Sequence, residues 1–108
     1  MPVYNKLVRD KIPEIIAKAG KSFRTKQLTD DEFVIELQRK LKEEIDEYIG
    51  AQGHGLAIEE LADILEIIHA LAEVHHSSIE EIEEVREEKA KERGGFQEKI
   101  FLIDVEDE

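Results

Sequence analysis

Two long stretches with the period of an amphipathic helix, split by a glycine-rich break, constrain this chain more than any other feature. Residues 29–49 place Val34, Leu37, Leu41, Ile45 and Tyr48 on one stripe about 80° wide at ~100° per residue. Residues 56–74 are apolar over most of their circumference, through Leu61, Ile64, Leu65, Ile67, Ile68, Leu71 and Val74. Between them lies Gly50-Ala51-Gln52-Gly53-His54-Gly55, which breaks the helical pattern. Two helices joined by so short a turn fold back antiparallel, apolar stripe against apolar stripe.

The remaining signals extend this hairpin to an all-α fold. Thr29-Asp30-Asp31-Glu32 has the Thr-x-x-Glu form of a capping box, and Ser78 with Glu81 forms a second one ahead of a helix ending at Gly94-Gly95. Asp10 is placed to cap a short helix that runs through Pro13 to Gly20, with Ile12, Ile15, Ile16 and Ala19 on its apolar side. Residues 21–28 have no helical period and read as extended or loop. In the tail, residues 97–105, the apolar run Ile100-Phe101-Leu102-Ile103 reads as the start of a short strand. At 108 residues the chain has material for one core, so 1–108 is expected to be a single domain. The expected architecture is a four-helix-type bundle with a little extended structure.

Charge narrows the partners. Fifteen Lys and Arg face 27 Asp and Glu, a net −12, which repels nucleic-acid polymers and anionic membrane surfaces. With no Cys there is no thiolate metal site or sulfur nucleophile, and the longest apolar run has four residues, so a cytoplasmic protein is expected. The balance is uneven, however. Residues 1–28 carry seven basic and two acidic side chains, while residues 29–108 carry eight basic and 25 acidic ones. One end can hold an anion and the rest a cation.

Some of those acids stand where a core should be. Glu44 projects inside the apolar arc of its helix and Glu47 lies just beside it, whereas Glu43 points further round towards solvent. On the next helix Glu60 projects between Ile67 and Leu71, with Asp63 at the border. The pairs Glu44/Glu47 and Glu60/Asp63 are each spaced i, i+3, and an antiparallel hairpin sets them at similar heights above the turn. Four anions converging on an apolar seam repel one another and are poorly solvated. A hard divalent cation removes both penalties, and all-oxygen ligation suits Mg²⁺ or Mn²⁺.

Written as a motif, Glu43-Glu44-x-x-Glu47, twelve intervening residues, then Glu60-x-x-Asp63 resembles the metal motif of the MazG-type all-α nucleoside triphosphate pyrophosphohydrolases. That superfamily includes phosphoribosyl-ATP pyrophosphohydrolases and all-α dUTPases. Tyr4-Asn5-Lys6-Leu7-Val8-Arg9-Asp10-Lys11-Ile12-Pro13 is similar to the opening of its small single-domain house-cleaning branch, and Lys89-x-x-x-Arg93-Gly94-Gly95-Phe96 to the segment after that branch's last helix. The resemblance implies that Glu44, Glu47, Glu60 and Asp63 bind Mg²⁺, with Glu43 as an outer partner or a water-positioning group. The implied reaction is attack of a metal-activated water within the phosphate chain, releasing a nucleoside monophosphate and pyrophosphate. Glu47 or Glu44 would accept the proton.

The remaining phosphates need cations. Arg86, Lys89 and Arg93 form a stripe on the last helix, where i, i+4 pairing with neighbouring glutamates is the competing use. Lys6 and Arg9 are the candidates at the basic end. Glu66-x-x-His69 and Glu73-x-x-His76 match the spacing used by di-iron bundles, but Glu66 and Glu73 face the polar side. Besides the nucleotide, the expected partner is a second copy: the third helix has more apolar circumference than so small a bundle can bury. The family commonly forms dimers or dimer-derived tetramers, so a homodimer or homotetramer is implied. The alternatives are phosphoribosyl-ATP cleavage and, from another class, a non-catalytic helical interaction protein that keeps the fold.

Overall fold

In a computed structural model, which describes residues 2–107, the chain forms four helices and, among the described residues, no strand. These are α1 (Ile12–Lys18), α2 (Asp30–Gly50), α3 (His54–Val74) and α4 (Ile79–Arg93). The all-helical class and the helix order match the sequence pattern. Among the described residues no helix is long and apolar enough to cross a membrane.

Local chemistry sets most of the boundaries. At the start of α2 the Thr29 hydroxyl accepts the Glu32 N–H at 3.2 Å, and the Glu32 carboxylate accepts the Thr29 N–H at 2.9 Å, completing the capping box. At α4 only half of the expected box forms: Ser78 Oγ accepts the Glu81 N–H at 3.2 Å. The Asp10 cap does not form. Lys11 occupies the cap position without a side-chain bond, because α1 starts one residue later than an Asp10 cap would require. α1 then stops before Gly20, whose φ of +78° is a conformation that favours glycine.

The turn between α2 and α3 is tighter than the glycine pattern suggests. Only residues 51–53 are non-helical, and α3 takes in His54 and Gly55, starting two residues before the expected Leu56. Gly53, at φ +92°, supplies the reversal immediately ahead of the first turn of α3. α2 and α3 therefore run antiparallel and form the main helical contact, α4 packs more lightly on α3, and α1 packs on none of the others. The core lies on the hairpin: Leu37, Ile67 and Ala72 are its buried apolar residues.

The strand expected in the tail is absent. Lys99 N–H bonds the Phe96 carbonyl at 3.1 Å in a turn, and residues 100–107 then run without helix or ladder, as do residues 21–28. A strand needs a neighbour to take its N–H and C=O groups, and neither segment meets one among the described residues. The molecule measures 64 × 35 × 26 Å with a radius of gyration of 18.7 Å. A compact chain of this length has a radius near ~13 Å. Its accessible surface is 10265 Å², against roughly 6,200 Å² for a compact monomer of its mass. Large apolar side chains contribute to the difference, with Ile49, Ile58 and Ile103 all more than half exposed.

In urea denaturation Thr29→Ala should lower stability by about 1 kcal/mol through loss of the cap. Leu37→Ala should cost more, about 3 kcal/mol, because it opens a cavity in the seam.

Candidate metal centre

The hairpin brings three of the four expected carboxylates together. Glu44 and Glu47 come from successive turns of α2 and Glu60 from the facing turn of α3. One carboxylate oxygen of each lies within 4.8 Å of the others. Ligands at 2.0–2.6 Å from a cation lie about 4–5 Å apart when opposite, so the three oxygens already span a cation-sized gap.

Burial makes this cluster unlike a solvated acidic face. Glu44 is only 8% exposed although it is charged in type, and Glu60 is half-buried. Glu44 Oε2 and Glu60 Oε2 are both shielded from water and have no hydrogen-bond partner among the described residues. An unpaired buried carboxylate oxygen is costly, and here two point into one seam. Glu44 takes up the strain by holding its proton. Burial chiefly, then the neighbouring carboxylates of Glu60 and Glu47, pushes its carboxyl from 4.5 up to about 7. The donor set is oxygen-only and anionic, which fits a hard divalent cation.

Asp63 is engaged elsewhere. Its Oδ1 receives a 2.7 Å hydrogen bond from the Arg9 guanidinium, which lies in the segment preceding α1. That segment runs along α2 as well: Tyr4, Asn5 and Lys6 line a cavity of about 100 Å³ with Arg39, Lys40 and Glu43. The basic end thus lies across the hairpin beside the acids. Glu43 is exposed and borders this cavity rather than the three-carboxylate group, and Lys6 Nζ lies 5.5 Å from the centre of the Tyr4 ring.

The α4 candidates behave differently from one another. Arg86 binds Glu83 and approaches Glu87 at 3.8 Å, both on its own helix, the pairing open to any helix of this composition. Lys89 and Arg93 are exposed and form no ion pair among the described residues. Arg93 borders a hollow of about 340 Å³ shaped by Gly94, Gly95, Phe96 and Lys99. His69 and His76 are exposed, and among the described residues neither joins a metal-like group.

Two contacts were not anticipated from the sequence. Lys40 Nζ lies 3.9 Å from Glu44 Oε1, a nearby positive charge for the buried acid, and its i, i+4 spacing was legible. The pairing of Arg9 with Asp63 carried no such signal, since 54 residues separate the partners.

The sign of the pH effect follows from Glu44. Its folded value lies above its unfolded one, so the metal-free folded state holds a proton that the unfolded state releases. Stability contributed by that proton is complete below pH 4.5 and is lost as pH rises through about 7. The full loss is roughly 3 kcal/mol. Denaturation in chelator should therefore show the wild type losing more stability between pH 5 and 8 than Glu44→Gln. Adding Mg²⁺ or Mn²⁺ at pH 8 should raise the wild-type midpoint and leave that of the variant unchanged.

No family model, curated protein or solved structure matches the chain. The acidic group, the buried oxygens and the adjoining basic segment are therefore the basis on which a function can be assigned.

Proposed function

We propose that this protein is a divalent-metal-dependent nucleotide pyrophosphohydrolase, of the MazG-like kind that its motifs resemble, cleaving nucleoside triphosphates to a monophosphate and pyrophosphate. The observation that carries the reading is the pair of buried, unpartnered oxygens of Glu44 and Glu60 in an apolar seam, with Glu47 beside them. A structural ion pair would have given those oxygens a protein partner. A solvated face would not have buried them.

Glu44 and Glu60 would hold a cation, Mg²⁺ with Mn²⁺ as a substitute, from opposite helices. Such a cation supplies charge neutralisation at the phosphate and a lowered pKa of bound water. Glu47 is the exposed member of the three and is suited to accept the proton of the attacking water. Asp63 adds a fourth carboxylate once Arg9 leaves it, and Arg9 is then free for a phosphate oxygen, to which a guanidinium can donate two hydrogen bonds. Lys6, on the same segment, adds charge, and Lys89 and Arg93 are the further candidates for the distal phosphates. Glu43 and Lys6 border the same cavity, which suits Glu43 to an outer, positioning role.

A homodimer or homotetramer acting in the cytoplasm completes the reading. The support for self-association is physical: the chain exposes about 4,000 Å² more surface than a compact monomer would, above the ~800 Å² per partner of a standard interface.

Pyrophosphate release should be measured with Mg²⁺ over a panel of standard and modified nucleoside triphosphates together with phosphoribosyl-ATP. Turnover of at least one member is expected, with Glu44→Gln and Glu60→Gln each lowering kcat/KM by about 100-fold or more. Absence of turnover across the panel, with no effect of divalent metal on the melting temperature, would overturn the assignment and favour a non-catalytic interaction protein.

A further inference from the structure

Two segments remain outside both the helical core and the metal centre. Residues 21–28 form neither helix nor strand and are almost wholly exposed, and carry Lys21, Arg24 and Lys26 with no acid. Residues 100–105 are exposed too, with Ile100, Phe101, Leu102, Ile103 and Val105 each at least 72% accessible. Asp104 interrupts that run, and Glu106, Asp107 and Glu108 follow it.

Each segment is incomplete alone. Among the described residues no backbone hydrogen bond outside the helices involves residues 22–28 or residues 100–107. The tail combines a β-branched and aromatic composition with apolar side chains on both faces of an extended chain, which water solvates poorly. Its acids are opposite in sign to the bases of 21–28, so the two segments attract. The two segments do not pair within one chain, while the surface in excess of a compact monomer is large enough for an extensive contact between copies.

We propose that residues 100–105 of one protomer add as a strand to residues 21–28 of a second copy, and reciprocally, so that the dimer is tied by exchanged tails. The ladder takes up the free N–H and C=O groups of both segments. Asp104 and the acids after it lie against Lys21, Arg24 and Lys26 of the other protomer. The apolar tail leaves water between the two copies. None of this depends on metal or on turnover.

The absence of cysteine makes a direct test possible. T25C and I103C are made in separate preparations, one isotopically labelled, checked by circular dichroism for wild-type helicity, mixed and mildly oxidised. A T25C–I103C cross-link is expected at about twice the 12.5 kDa of one chain, in several-fold excess over the two same-site disulfides. A synthetic peptide of residues 97–108 should reduce it several-fold, and a scrambled peptide should not. Helical but uncross-linked mixtures would overturn the proposal, as would a cross-link that both peptides leave unchanged. So would a T25C/I103C double variant that oxidises only within its own chain.

Discussion

The burial of Glu44 in the seam between α2 and α3 is the constraint on which the rest of the structure turns. A seam closed by Leu37 and Ile67 would be ordinary helix packing. Setting a carboxylate into it, with Glu60 opposite and Glu47 beside, leaves two oxygens without partners and raises the Glu44 pKa to about 7. The hairpin therefore stores an electrostatic demand in its centre. A proton meets part of that demand, and a divalent cation would meet more of it, because one ion can satisfy several carboxylate oxygens at once.

The segment ahead of α1 is shaped by the same demand. Its cations are drawn to the acidic hairpin, and Arg9 settles on the carboxylate that the three-membered group does not use. Both side chains of that pair remain largely exposed, so the contact is weak in water and easily exchanged. A strong anchor would fix the segment in place. A weak one leaves positive charge beside the acids without fixing the segment there. Lys40 differs in kind, since it is half-buried on the same helix as Glu44 and moves with it.

The open outline has a simple cause. Among the described residues three buried apolar side chains make a small core for a chain of this length, and α1, the tail and much of α3 lie outside it. Two groups of the exposed apolar residues are contiguous. Ile58, Leu61 and Leu65 follow one stripe of α3, and Ile100 to Ile103 are consecutive, as expected of surfaces that are covered in an assembly.

The sequence alone determined the helices and the identity of the acids. Periodicity and the Thr29–Glu32 box fix α2, the apolar circumference marks α3, and the wheel placed Glu44 and Glu60 on apolar faces, because each of these depends on neighbours within a few residues. It read Asp10 as a cap and residues 100–105 as a strand. Both failed where the outcome depended on a helix start shifted by one residue or on a missing partner strand. Only the tertiary structure decided that Glu44, Glu47 and Glu60 converge while Asp63 pairs with Arg9. Those choices are set by the height and rotation of one helix against another and by the path of the segment laid across them. They join residues far apart in the chain, and no local pattern encodes such distances.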